Sequence, residues 1–188
     1  AIDPEAYDMI QSDMDWLGIN PDEVVVQSDR METYYDDMRT ILSKGGAYVT
    51  NSEAEHWRDL KKRSEAHPDR NRDSDVQLNE FEALLSGSEG IVVIKTDLED
   101  PNPALRDFVA FRVVESPHPR QKDKYRLWPL YNYAVAIDDY RLGVTHVLRG
   151  KDHLNNTLKQ KWVYKYMGWD EPEYIHYGLV SIPDTNLK

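Results

Sequence analysis

Hydrophobic positions along the chain switch between two periods, and the switches mark out the elements. Ala6, Tyr7, Ile10, Met14 and Leu17 recur at helical spacing. Asp3-Pro4 supplies a cap and a first-turn proline for that helix, and Gly18 a stop. Val24-Val25-Val26, inside Glu23 to Gln27, is a β-branched run and predicts a buried strand. Ser28 then stands where it would cap a helix striped by Met31, Tyr34, Tyr35, Met38, Ile41 and Leu42, ended by Gly45-Gly46. A Met and Tyr stripe at this spacing reads as core. Ala47 to Thr50 is a second short strand, and Ser52 with Glu55 forms a capping box before a helix carrying Trp57 and Leu60. This βα alternation predicts an α/β chain with a parallel sheet.

The middle loses that regularity. Arg58 to Asp75 is dense in charge of both signs with Pro68 inside it, which reads as a solvated helix end and a flexible loop. Leu78, Phe81 and Leu85 predict a helix. Gly90 to Thr96 and Phe108 to Glu115 predict strands on either side of a proline-bearing loop, Asp100 to Asp107. His118 to Lys124 is a basic turn.

The pattern sharpens again after Trp128. Tyr131, Ala134, Val135, Ile137 and Leu142 give a helix that Gly143 stops, and Val144 to Leu148 reads as a short buried strand. Arg149-Gly150 leaves the strand, and Lys151 to Met167 returns to helical spacing. Strand, glycine, helix is the geometry that places ligands at the carboxyl end of a parallel sheet. Gly150 lets a ligand approach the backbone closely. Asp138, Asp139, Thr145, Asp152 and His153 crowd polar chemistry around the strand. Asp152 suits either a helix cap or a ribose hydroxyl, Arg149 a surface ion pair or a ligand, and Tyr131 core or a ligand wall.

Composition narrows the field. The 188 residues suffice for one domain with an insertion, or for two small ones. No run is long and apolar enough to span a bilayer, and the start reads as helix rather than as a leader. Cysteine is absent, which removes disulfides and cysteine-ligated zinc. A net charge of −11 argues against indiscriminate nucleic-acid binding, yet leaves room for a local basic groove.

Several phrases together carry a resemblance. They are NPALRD (Asn102 to Asp107), WPLYNYAVAIDD (Trp128 to Asp139), GVTHVLRGKDH (Gly143 to His153), NTLKQ (Asn156 to Gln160) and YIHYGLVSIPDTNLK (Tyr174 to Lys188). In this order they resemble class I aminoacyl-tRNA synthetases, most closely the archaeal-type glutamyl-tRNA synthetases. The resemblance implies a Rossmann-like parallel sheet split by an inserted mixed α/β acceptor-binding domain. It implies a first catalytic part over 1–45, the insertion over 46–127 and a second catalytic part over 128–188.

It also implies a chemistry. ATP, with Mg²⁺, and glutamate would form glutamyl-adenylate, and the acyl group would pass to the 3′ end of tRNA-Glu, with tRNA-Gln left open as a second acceptor. Tyr131 and Arg149 match positions that hold the substrate amino acid, and Gly150, Asp152 and His153 lie where ATP binds. No residue is assigned a covalent catalytic role. Arg106, Arg112, Arg120, Lys122 and Lys124 are candidates to hold the tRNA acceptor arm, with structural ion pairing as the ordinary alternative. A cytoplasmic enzyme without zinc or a membrane anchor is implied. The family's His-x-Gly-His-type clamp is not matched, and its KMSKS-type loop would begin near Leu187-Lys188. The chain therefore reads as an internal catalytic-domain fragment, inactive by itself. The alternatives are a glutaminyl-tRNA synthetase-like enzyme and a non-catalytic acceptor-binding fragment.

Overall fold

The computed structural model of the chain describes residues 4–178. Its packing centre is the helix predicted by the Met and Tyr stripe, α2 (Met31–Ser43). Met31, Tyr34, Tyr35, Met38, Ile41 and Leu42 are all buried in it. The two tyrosines keep their hydroxyls paired inside the core. Tyr35 donates to the Leu127 carbonyl at 2.7 Å, and Tyr34 to Asp138 at 2.6 Å. A buried phenol without such a partner would forfeit about 1–3 kcal/mol.

One face of α2 meets a four-stranded sheet: β1 (Ala47–Thr50), β2 (Ile91–Ile94), β3 (Phe108–Val113) and β4 (Leu127–Pro129), in that spatial order. Every pairing in it is antiparallel, with a register shift between Val92 and Val93. Helices α3 (Ala54–Lys62) and α4 (Ser74–Leu85) are threaded between β1 and β2. Phe81 of α4 and Phe111 of β3 fill the space beneath Tyr35, with ring centroids within 5.8–6.3 Å. The other face of α2 is joined to α5 (Tyr131–Arg141) by two ion pairs, Arg30 to Asp138 at 2.8 Å and Arg141 to Asp37 at 2.5 Å. Next come β5 (His146–Gly150), a 3-10 turn at Lys151–His153, α6 (Leu154–Met167) and β6 (Glu173–Tyr177). Gly143 at φ +71 and Gly168 at φ +76 end α5 and α6 as left-handed caps.

Several expectations fail, each for a physical reason. The parallel arrangement is confined, among the described residues, to β5 and β6. The strands closest in sequence pair antiparallel instead. Val24 to Val26 forms no strand, although Val26 is extended, because no neighbouring strand reaches it among the described residues, and Val24 stays exposed. Ser28 lies in a 3-10 turn (Gln27–Asp29), and the cap position of α2 falls to Arg30. Glu53, not Ser52, precedes α3, and no side chain caps it. α1 (Ala6–Trp16) forms, but Ile10 and Leu17 of its apolar face are exposed; Asp3 lies outside the described residues. β5 is also less covered than expected, with Leu148 65% exposed.

The charged stretch from Arg58 to Asp75 is the largest correction. It is partly interior. A 3-10 turn at Pro68–Asn71 packs against β1, and His67 and Asp69 are buried. Gln77 bridges the turn to the strand. It donates to the Asp69 carbonyl at 2.7 Å and accepts from the Val49 amide at 2.6 Å. Arg70 reaches Asp107 at 3.0 Å, and Asp107 also accepts from the Thr96 amide at 2.8 Å. Charge density marked this segment as solvated, and its outer charges do pair locally, Arg63 with Glu65 and Arg72 with Asp69 and Glu80, but Arg70 is drawn inward by a partner distant in sequence, Asp107.

Candidate functional site

The first turns of α5 and α6 face one another across the carboxyl end of β5. Leu130 is extended (φ −95, ψ 158), so α5 begins abruptly at Tyr131 and leaves that ring half exposed. The Tyr131 hydroxyl lies 3.4 Å from His153 Nδ1, with the rings tilted at 5.9 Å. His153 closes the 3-10 turn that follows β5, where its Nε2 lies 3.6 Å from Asp152 and Asn156 approaches its Nδ1 at 3.1 Å. Asp152 is open to solvent and caps neither the turn nor α6. Its carboxylate is left available.

Arg149 is the buried cation of the site, at 8% exposure. It is no surface ion pair. One terminal nitrogen donates to Thr157 Oγ1 and, at 2.8 Å, to Gln160 Oε1, both on α6. Its guanidinium lies over the Tyr174 ring of β6, 5.0 Å from the centroid. Thr157 also meets His176 Nε2 at 2.8 Å, and the Gln160 amide reaches Asn132 of α5 at 3.5 Å. Gln160 thus ties the Arg149 cluster to the turn that carries Tyr131. A guanidinium clamped on one edge and stacked on one face has few orientations left, the condition for reading a planar carboxylate.

The site is also short of partners. Among the described residues, six buried side-chain polar atoms make no well-formed hydrogen bond, and four belong here: Arg149 Nε, Asp139 Oδ2 and the hydroxyls of Tyr164 and Tyr174, which meet one another only loosely. Burial, opposed by the Arg149 charge, pushes the Asp139 carboxyl up to about 6. Burial likewise pushes the Tyr174 phenol up to about 12.

Sequence reasoning passed over Thr157, Gln160 and Tyr174. Thr157 and Gln160 stand three apart in NTLKQ, which places them on one helix face. That spacing was a usable signal. Tyr174 had none, since only the parallel pairing of β5 with β6 sets it beside Arg149.

The five candidate acceptor-arm cations do not form one patch. Arg106 is buried and turned inward, donating to the carbonyls of Asp100, Lys61 and Lys62 at 2.8–2.9 Å. Arg112 is exposed on β3. In the His118 to Lys124 turn, Arg120 pairs with Asp29 at 2.7 Å and lies over the Tyr7 ring at 5.4 Å. Its hydrogen bond holds the Asp29 carboxyl below the usual range. Lys124 lies over the Tyr125 ring at 4.7 Å. Lys122 takes a left-handed backbone (φ +53) to close the turn against His118. The segment where the KMSKS-type loop was expected to begin lies outside the described residues.

No three His, Cys, Asp or Glu side chains cluster to hold a metal among the described residues. No described helix is long and apolar enough to cross a membrane.

Known proteins bear directly on this geometry. The chain is 50% identical along its whole length to the glutamate–tRNA ligase of Methanothermobacter thermautotrophicus. It is also 50% identical, over 98% of its length, to that of Methanocaldococcus jannaschii. It spans about a third (34%) of each of those relatives. In fold it is similar to the crystal structure of a glutamate-tRNA synthetase from Elizabethkingia anophelis. The TM-score is 0.67 at 20% identity, covering 99% of this chain and 42% of that one. Residues 2–187 match the family described as tRNA synthetases class I (E and Q), catalytic domain, and the chain belongs to that family.

Proposed function

We propose that this chain is the catalytic-domain segment of a glutamate–tRNA ligase. In the complete enzyme it activates glutamate with ATP and delivers the acyl group to the 3′ end of tRNA-Glu. The observation that carries this reading is the buried, edge-clamped guanidinium of Arg149. Glutamate and glutamine have almost the same shape, so size cannot separate them and charge must. A guanidinium pairs with the carboxylate, whereas an amide leaves it desolvated without a counter-ion.

Tyr131 supplies the opposite wall and a hydroxyl beside His153. Gly150 lets the adenosine approach the backbone, and the exposed Asp152 carboxylate accepts from the ribose. Magnesium enters with the ATP phosphates as part of the substrate. The residues from 46 to 127, which contain β1 to β3 and most of the antiparallel sheet, form the unit that meets the acceptor arm. Arg112, Lys122 and Lys124 are its outward-facing cations. Arg106 ties the Asp100 to Asp107 loop to the end of α3.

The test belongs in the complete ligase. Arg149→Gln should depress glutamate activation by tens to thousands of fold, on the order of 2–5 kcal/mol, while ATP binding and the fold persist. It should also narrow the gap between glutamate and glutamine. A variant that discriminates the two as well as the parent does would make Arg149 a structural residue and remove the glutamate assignment.

A further inference from the structure

Most inward-turned arginines of the chain meet a carboxylate, as Arg70 meets Asp107 at 3.0 Å and Arg30 meets Asp138 at 2.8 Å. The two buried ones, Arg106 and Arg149, form no ion pair among the described residues. Three backbone carbonyls take up Arg106. Arg149 is held by neutral side chains instead. Thr157 Oγ1 and, at 2.8 Å, Gln160 Oε1 share its Nη2, and its buried Nε has no partner. Gln160 is fully buried. One orientation of its amide suits both neighbours: Oε1 accepts from Arg149, and Nε2 donates to Asn132 Oδ1 at 3.5 Å. Turned over, it would set an amide nitrogen against the guanidinium, donor against donor. Asn132 follows Tyr131 at the start of α5, so one neutral amide joins both candidate walls of the glutamate pocket.

A cation oriented by neutral acceptors keeps its charge for a ligand. We propose that Gln160 is a specificity-determining positioning residue: its neutral amide, oriented by Asn132, aims the Arg149 guanidinium at the substrate's side-chain carboxylate without neutralising it. This rests on the reading that Arg149 holds the glutamate side chain.

Glutamine and glutamate side chains have nearly the same shape, so position 160 presents a choice of charge. A carboxylate there would reach the same Nη2 and form a charge-assisted pair with it. Asn132 could turn its own amide and donate to the new oxygen, so the interior would stay satisfied. The substrate carboxylate would then meet a cation already neutralised, with a buried like charge beside it. Substrate glutamine would meet no such repulsion. The internal carboxylate would occupy the electrostatic place of the substrate, and selectivity would turn toward the amide.

The experiment compares the complete ligase with its Gln160→Glu, Gln160→Met and Thr157→Val variants. It reads kcat and the KM values of glutamate and ATP in pyrophosphate exchange, the inhibition constant of glutamine, and the melting temperature. Gln160→Glu should raise the glutamate KM roughly tenfold to a hundredfold, the scale of like charges in a partly buried site. The ATP KM and the melting temperature should hold, and glutamine should inhibit as well as before or better. Gln160→Met and Thr157→Val each remove one neutral acceptor at similar volume. They should raise the glutamate KM by about threefold to tenfold, the scale of one hydrogen bond, and leave the glutamine constant near that of the parent.

A purely structural Gln160 would give another pattern. Its variants would lower kcat, ATP affinity and melting temperature together and keep the ratio of glutamate to glutamine affinity, and that outcome overturns the inference. Should Gln160→Glu fail to fold, the same ratio in Gln160→Met and Thr157→Val decides. A narrowed ratio supports the inference and an unchanged one overturns it. None of these results touches the role of Arg149, which fails separately if Arg149→Gln binds glutamate as the parent does.

Discussion

The antiparallel sheet and the β5–α6–β6 unit handle buried polarity in opposite ways. Within the sheet unit, Asp107 takes the Thr96 amide and Arg70, Gln77 bridges Asp69 and Val49, and Arg106 fills three carbonyls. Its one unpaired buried atom is the second oxygen of Glu80, whose first oxygen holds Arg72 at 2.6 Å. In the second unit and the α5 helix packed on it, Arg149, Asp139, Tyr164 and Tyr174 each leave a buried polar atom without a well-formed hydrogen bond, and Leu148 faces outward from the strand. Saturated polarity fixes a shape. Unsaturated polarity at about 1–3 kcal/mol per group is tolerated where a ligand or ordered water completes it. The contrast is in keeping with the candidate site proposed for the second unit.

The largest expected effect lies in the saturated region. Asp107→Ala strands Arg70 and the Thr96 amide in the interior, and should cost about 3–5 kcal/mol in urea unfolding of the chain. A loss below about 1 kcal/mol would mean that Arg70 finds solvent instead, and the contrast would weaken. Gly46→Ala comes next. A Cβ there would lie 2.5 Å from the Tyr166 ring, whose hydroxyl donates to the Lys95 carbonyl at 3.0 Å. Overpacking should cost about 1–3 kcal/mol, and the penalty should shrink in a Tyr166→Ala background if the ring is the obstacle.

A matched pair of hydroxyl deletions sharpens the comparison directly. Tyr35→Phe removes a donor from the Leu127 carbonyl and should destabilise by about 1–2 kcal/mol. Tyr174→Phe removes a hydroxyl that meets the Tyr164 phenol without a well-formed hydrogen bond, so the loss should be smaller than at Tyr35, while the ring under Arg149 is kept. Equal losses at both positions would show that Tyr174 is satisfied in solution.

The smallest effect is a slope against pH. Asp139 rises from 3.8 to about 6 on folding, so the folded chain binds more protons than the unfolded chain between those values. Its contribution to stability therefore falls as pH rises through that window and levels off above it. Asp139→Asn should flatten that part of the melting temperature profile. Carboxylates that fold with lowered values, such as Asp29, slope the opposite way and bound how large the change can be.

What was legible in the sequence was local. The Met31 to Leu42 stripe, the Phe81 helix, the β-branched runs that became β1 to β3, and the strand, glycine and helix around Gly150 each announce themselves within about a dozen residues. Period, turn residues and side-chain shape act at that range. The phrases from Trp128 to Gln160 pointed to Tyr131, Arg149 and His153 through a family resemblance, and these candidates are close in sequence.

The tertiary structure decided everything that depends on a distant partner. Strand direction was one such outcome, since a β-branched run pairs either way and the neighbour chooses. Val24 to Val26 had the right residues for a strand and no neighbouring strand among the described residues. The stretch from Arg58 to Asp75 looked wholly solvated because the partner that draws Arg70 inward, Asp107, lies far along the chain. Arg149 was readable as a ligand or as an ion pair. Only the docking of α6 and β6 supplied the clamp of Thr157 and Gln160, the ring of Tyr174 and the unpaired carboxylate of Asp139, because hydrogen bonds and burial are made between elements that no single stretch of sequence contains.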